Sequence, residues 1–160
     1  MTTNILIAGV GGQGTLLTSR ILGQVYQNEG FDVKVSEIHG MSQRGGSVVT
    51  YVKYGEKVAS PIIDKAEADI ILAFERLEAL RALPFLKKGG KMIVNDRAMN
   101  PMPVIIGAAE YPEGIIETLK ESADVTSLDA LELAEKAGSI KAVNVVLIGV
   151  LAKSTDIPYD

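Results

Sequence analysis

Residues 5–14 read ILIAGVGGQG and concentrate glycines that could bind a phosphate. Three of them have the spacing G-x-G-x-x-G, which permits a tight turn, close approach of the backbone to a phosphate and close packing of a helix on a strand. Backbone N–H groups at the start of that helix would face the anion. The pattern predicts a phosphate or dinucleotide site at Gly9, Gly11, Gly12, Gln13 and Gly14.

Two interpretations of this glycine turn stay open. A dinucleotide site also needs an acidic residue about 20 residues further on, which contacts the ribose, and Glu37 is the candidate. Alternatively, the glycines serve only the turn and the packing of the helix, without a ligand. Both interpretations require the turn to follow a strand and to open a helix.

A second glycine-rich segment, residues 36–47 (SEIHGMSQRGGS), carries the only histidine of the chain. A lone arginine in such a loop suits an anion or a carboxylate, and the histidine could orient or move a proton near neutral pH. The alternative, which we favour, is an interface loop whose arginine pairs with an acid of a partner. The candidate residues are His39, Gly40, Gln43, Arg44, Gly45 and Gly46.

The elements that position these segments alternate between strands and helices, as in parallel α/β folds. The link between the second and third strands is too short for a crossover helix, so the third strand is expected to be antiparallel. The sequence therefore predicts an α/β doubly wound, mostly parallel sheet with one antiparallel inserted strand. The predicted strands are residues 4–8, 31–36, 47–54, 58–63, 69–74, 91–95, 104–108 and 124–126, and the predicted helices are 15–28, 75–86, 112–120, one capped by Ser127 that ends near Ala137, and 143–153.

Composition and length exclude several kinds of site. A chain of 160 residues fits one domain, residues 1–160. The absence of cysteine excludes disulfides, iron–sulfur clusters and cysteine-based zinc sites, and one histidine excludes a multi-histidine metal site. A net charge of −4 argues against general nucleic-acid binding. Without a leader or an apolar stretch of about 20 residues, we expect a cytoplasmic protein with no membrane span.

The motifs resemble those of the small subunit of 2-oxoacid:ferredoxin oxidoreductases. The resemblance rests on GVGGQG after the first strand, on SEIHGMSQRGGSV, and on the segment that runs from SPIID to MIVN. HGMSQRGGSV is most similar to the beta subunit of indolepyruvate:ferredoxin oxidoreductase, and the gamma subunit of pyruvate:ferredoxin oxidoreductase is the near relative. The resemblance covers nearly the whole chain.

The resemblance implies a Rossmann-like fold and a non-catalytic accessory role in an oxidoreductase complex. That complex oxidatively decarboxylates a 2-oxoacid to acyl-CoA and passes electrons to ferredoxin. Thiamine diphosphate and iron–sulfur clusters would lie on a large partner subunit, so the isolated chain would be inactive and would hold no cofactor stably. Gly11, Gly12 and Gly14 would present N–H groups to coenzyme A or to a partner loop, and Arg44 would pair with an anion at the subunit junction.

The chain departs from the family pattern at its C-terminus. Family members usually continue into another helix where this chain ends at Asp160, so we expect a C-terminal helix to be lacking; exposed apolar surface would then promote a homo-oligomer.

Two rival interpretations of the function stay open: a free-standing NAD(P)-dependent enzyme, and a nucleotide-binding module that acts without such a complex. An NAD(P)-dependent enzyme would need a proton donor and a substrate domain, whereas this chain has a single histidine and no evident substrate domain.

Overall fold

Six strands form one sheet in the computed structural model, which describes residues 1–42 and 44–155. They are β1 Thr2–Val10, β2 Asp32–His39, β3 Ser47–Gly55, β4 Ala68–Ala73, β5 Leu86–Asn95 and β6 Asp124–Leu128. Their spatial order is β2-β3-β1-β4-β5-β6. The pairs β1–β4, β4–β5 and β5–β6 are parallel, and β3 lies antiparallel between β1 and β2. The predicted α/β fold and its antiparallel inserted strand are confirmed.

Helices cover both faces of this sheet. They are α1 Thr15–Asn28, α2 Arg76–Ala82, α3 Met102–Ile105, α4 Ile115–Ser122, α5 Ala130–Lys136 and α6 Val143–Lys153, with 3₁₀ turns at Leu83–Phe85 and Ile140–Ala142. Side chains alternate between the faces of a strand, so Ile5 and Ile7 pack in the layer of α1, α5 and α6, whereas Leu6 and Ala8 pack in the layer of α2 and α4. Among the described residues, none of the helices has the length and apolar character of a membrane span.

The two glycine segments meet at one edge of the sheet. The parallel strands β1, β4, β5 and β6 all end at this edge, which we call the carboxyl edge. Because β3 is antiparallel to both of its neighbours, β2 ends at the carboxyl edge as well and β3 begins there. Ser47 lies opposite Val10, and Val48 lies opposite His39. The turn after β1 and the loop before β3 are therefore neighbours.

Two predicted strands are wrong. Residues 58–63 form no strand; Val58 and Ile63 are buried singly and anchor an irregular excursion between β3 and β4. Residues 104–108 form no strand either, because the chain turns there into the short helix α3, whose first turn contains a proline and is suited to one. Apolar residues in both segments suggest strands, but neither segment finds a neighbouring strand with which to pair.

Several boundaries also differ from prediction. β2 extends three residues beyond Ser36 to His39 because β3 pairs with it along its whole length. The helix assigned to a Ser127 cap begins at Ala130 instead, and the Asp129 carboxylate accepts its capping bond from the Glu132 N–H at 3.0 Å. That bond, with a smaller contribution from Arg97, lowers the pKa of Asp129.

Candidate functional site

Reciprocal backbone hydrogen bonds join the two glycine segments at the carboxyl edge. The Gly11 N–H donates to the Gly46 carbonyl at 2.8 Å, and the Gly45 N–H donates to the Gly11 carbonyl at 3.3 Å. Glycines on both sides permit this close approach of two backbones. The structure thus brings the two motifs of the sequence into one site.

The side chain of Gln13 closes the glycine turn from within. Its Oε1 accepts a hydrogen bond from the Val10 N–H at 2.7 Å, and its Nε2 donates to the Phe74 carbonyl at 3.4 Å. The amide therefore ties the turn to the end of β4 and is not directed at a ligand. Gly9 has a similar packing role, because a Cβ there would lie 2.8 Å from Cγ2 of Thr15.

Gly12 and Gly14 have positive φ angles but different surroundings. Gly14, at φ 86°, has the Asn144 side-chain amide directly against it, and that amide donates to the Gly14 carbonyl at 2.9 Å. Gly12, at φ 99°, has an open outer side in the described part of the chain, because no described residue other than its chain neighbours has a heavy atom within 4 Å of the position that a Cβ would take there. The turn can receive a ligand at Gly12, while Gly14 is closed off by α6.

The first turn of α1 lies beside this opening. The N-cap residue of the helix is Gly14, and no side chain among the described residues caps it. The first N–H groups of a helix have no intrahelical partner and carry the positive end of its dipole. An anion at Gly12 would find these N–H groups unoccupied by a capping side chain.

The histidine and the arginine of the second segment are both exposed. His39 Nδ1 lies 3.0 Å from the Gly40 carbonyl, at the end of the edge strand β2. Arg44 forms no ion pair with any of the described residues, and its carbonyl accepts a 2.7 Å hydrogen bond from the Ser42 hydroxyl. The prediction for Gln43 lies outside the described residues.

Glu37 is not placed for the ribose contact of a dinucleotide site. In a dinucleotide-binding fold the acidic residue follows the strand adjacent to β1. Here β3 lies between β1 and β2, which separates those strands by about 10 Å, twice the usual strand spacing. Glu37 instead accepts a 3.4 Å hydrogen bond from the Thr50 hydroxyl of β3. The inserted strand therefore disfavours the dinucleotide interpretation.

A groove of about 320 Å³ opens on the α2 side of the second glycine segment. We call it the loop–α3 groove, because residues 44–47 form one wall and residues 99–105 the other. Arg44 and Arg81 lie at its polar part, and Leu77, Met102 and Ile105 supply apolar surface. The groove thus combines guanidinium groups with an apolar wall.

Two buried glutamates connect the elements that line the groove. Glu78 accepts hydrogen bonds from the Ser47 hydroxyl at 2.5 Å and from Arg81 at 2.7 Å. Glu75, which is 1% exposed, accepts from the N–H groups of Glu78 and Met99 and from the Tyr111 hydroxyl. Burial, and then the contact with Glu75, raise the pKa of Tyr111.

Both glutamates fall in the first turn of the helix predicted for residues 75–86. The position of Glu75 directly after the strand predicted for residues 69–74 is a signal that it lies at the carboxyl edge, but it does not identify its partners. Asn144 falls at the start of the helix predicted for residues 143–153, and its amide contacts Gly14 across the molecule. Among the described residues, no group of three or more His, Cys, Asp or Glu side chains could hold a metal ion.

Similarity to known proteins agrees with this fold and this pair of motifs. The family model described as pyruvate ferredoxin/flavodoxin oxidoreductase matches residues 4–160. The chain is 43% identical over 161 residues to the indolepyruvate oxidoreductase subunit IorB of Thermococcus kodakarensis, covering 97% of this chain and 79% of that protein.

Two solved structures share the fold at low sequence identity. The pyruvate oxidoreductase subunit PORC from Thermotoga maritima superposes with a TM-score of 0.73 at 16% identity, covering 98% of this chain and 78% of that one. The 2-oxoglutarate:ferredoxin oxidoreductase from Magnetococcus marinus, with 2-oxoglutarate, coenzyme A and succinyl-CoA bound, gives a TM-score of 0.64 at 17% identity, covering 99% of this chain and 25% of that one.

Proposed function

Because the chain belongs to the pyruvate ferredoxin/flavodoxin oxidoreductase family, we propose that it is a non-catalytic accessory subunit of a cytoplasmic 2-oxoacid:ferredoxin oxidoreductase whose oxoacid is indolepyruvate. The observation that carries this proposal is the 43% identity with the IorB subunit over almost the whole chain. The complex would decarboxylate the oxoacid, transfer the acyl group to coenzyme A and pass the electrons to ferredoxin.

The residues of this chain support an accessory role. Iron–sulfur clusters would be held by a large partner subunit, since this sequence contains no cysteine to ligate a cluster. Thiamine diphosphate is proposed to lie on the same partner. The single histidine, His39, is exposed and contacts the neighbouring carbonyl of Gly40, with no nucleophile beside it among the described contacts. Ferredoxin would interact with the chain only through the complex.

The glycine turn is proposed to contact a phosphate of coenzyme A in the assembled complex. Within the part of the chain that the structure describes, Gly12 is open and the first turn of α1 has no capping side chain, and backbone N–H groups there suit a phosphate. Gly9, Gln13 and Gly14 would shape the turn without contacting the ligand through side chains. The second segment, from His39 to Gly46, would lie at the junction with the partner subunit.

Gly12→Val is expected to weaken coenzyme A binding by the assembled complex at least about tenfold, because the new side chain occupies the open side of the turn. Gly30→Val is the matched control, since Gly30 also has a positive φ and open surroundings but lies at the opposite edge of the sheet. Both variants incur a similar backbone strain of about 1–2 kcal/mol. Titration calorimetry that gives equal affinities for the two variants would rule out the phosphate contact.

The accessory role itself is tested by purifying the tagged chain from its native cells under anaerobic conditions. We expect a large subunit to co-purify, identified by mass spectrometry, together with thiamine diphosphate. The sample should also show the broad absorption at about 400 nm that cysteine-ligated clusters give. A colourless chain that purifies alone, or one that carries a dinucleotide, would contradict the proposal and favour the nucleotide-binding module.

A further inference from the structure

Large apolar side chains are exposed beside the loop–α3 groove. Met102, Ile105 and Ile106 on and beside α3 are 64–69% exposed, and Met41 in the second glycine segment is fully exposed. Met102 and Ile105 line the loop–α3 groove, and Ile106 and Met41 directly follow or precede lining residues in the sequence. Such an exposed apolar patch is typical of an interaction surface.

The segment that carries this patch is fixed in place. The Met99 N–H donates to the buried Glu75 carboxylate at 3.0 Å, and the Tyr111 hydroxyl donates to the same group from the far end of the segment. Pro101 and Pro103 further restrict the backbone between these two points. The apolar side chains are therefore held outward by the fold, and such preorganisation lowers the entropic cost of binding a partner.

The charges of the groove specify what could occupy it. Arg44 and Arg81 line the groove, and the Arg81 side chain is half-exposed. The one carboxylate among the described lining residues, Glu78, is buried and already accepts bonds from Ser47 and Arg81. The occupant must therefore bring its own anionic group together with apolar surface.

These observations point to a polypeptide and not to a small ligand. A molecule that fills 320 Å³ would leave Met41 and Ile106, which are outside the groove lining, exposed to water. A second copy of the chain fits poorly, because a two-fold contact brings the same patch against itself. The guanidinium groups would then face each other without an accessible carboxylate from the groove.

We propose that the loop–α3 groove receives an acidic and apolar segment of the catalytic subunit, with a carboxylate of that segment paired with Arg44 and an apolar side chain packed between Leu77 and Ile105. This assignment rests on the proposed function, which supplies the catalytic subunit as partner. It places the second glycine segment inside the subunit interface, and its backbone bonds to Gly11 connect that interface to the glycine turn.

Three variants test the docking surface in the assembled complex. Ile105→Glu and Arg44→Glu are both at exposed positions, so folding should be preserved, and a thermal melt of each variant checks this. Each is expected to raise the Kd for the purified catalytic subunit at least about 30-fold, since a charge is buried or reversed against the partner. Ile62→Glu makes the same isoleucine-to-glutamate change at an exposed residue that is not among the groove-lining residues, and it should alter the Kd by less than about twofold.

The outcomes separate this proposal from the proposed function. If the unmodified chain does not bind the catalytic subunit, the accessory role fails and the docking surface fails with it. If the unmodified chain binds and Ile105→Glu, Arg44→Glu and Ile62→Glu bind equally well, only the docking surface is wrong. Sedimentation of the isolated chain gives the remaining outcome: a dimer that Ile105→Glu dissociates, with an unchanged Kd for the catalytic subunit, would assign the surface to a second copy and overturn the proposal.

Discussion

Glu75→Ala is expected to lower the free energy of unfolding by about 3 kcal/mol, because it removes the common acceptor of three hydrogen bonds. Three donors would lose their partner: the N–H groups of Glu78 and Met99 and the Tyr111 hydroxyl. The loss occurs at a buried position, because Glu75 is only 1% exposed. The segment from Met99 to Tyr111 would also lose its attachment to α2. Urea denaturation gives the stability, and amide hydrogen exchange at Met99 reports the loosening.

The control for this variant is Glu117→Ala, which removes an exposed carboxylate from the first turn of α4. Its effect should stay within about 0.5 kcal/mol, as for most surface substitutions. If Glu75→Ala costs no more than Glu117→Ala, the carboxylate does not hold the segment. Met99 exchange that stays unchanged would lead to the same conclusion.

Gly14→Ala is expected to cost about 3 kcal/mol of stability, from a positive φ and from a Cβ placed against the Asn144 amide. Asn144→Ala alone should cost about 1 kcal/mol, because it removes the hydrogen bond to the Gly14 carbonyl. The double variant should be more stable than the sum of the two effects predicts, since the smaller side chain makes room for the Cβ.

Thermal or urea unfolding of the two single variants and the double variant completes this double-mutant cycle. Strict additivity would mean that Asn144 does not press on Gly14 and that α6 is not coupled to the glycine turn. We expect the coupling to affect stability only and the complex to assemble normally, because neither Gly14 nor Asn144 is among the described lining residues of the loop–α3 groove.

The antiparallel direction of β3 can be predicted from the sequence, because it follows from the length of the connecting segment. The short connection between β2 and β3 requires an antiparallel pair, and this inserted strand is what brings His39 and Arg44 to the same edge as the glycine turn. The extension of β2 to His39 could not be predicted locally, because it depends on continuous pairing with β3.

The two wrongly predicted strands, at residues 58–63 and 104–108, come from apolar residues whose spacing does not distinguish a strand from other structure. Val58 and Ile63 are buried individually, and a sequence window does not distinguish such anchors from a strand. Within the site, the glycine spacing predicts the turn, but the contact between Asn144 and Gly14 joins residues 130 positions apart. Glu75 similarly receives its partners from segments that only the tertiary fold brings together.

We propose that this chain is a necessary but non-catalytic part of a 2-oxoacid:ferredoxin oxidoreductase. The claim is tested by the rate of ferredoxin reduction with indolepyruvate and coenzyme A, measured anaerobically for the catalytic subunit alone, for this chain alone and for the two mixed. We expect the mixture to exceed either component by at least about tenfold and the rate to saturate at equal amounts of the two subunits. A catalytic subunit that reaches the full rate without this chain, or turnover by this chain alone, would contradict the claim.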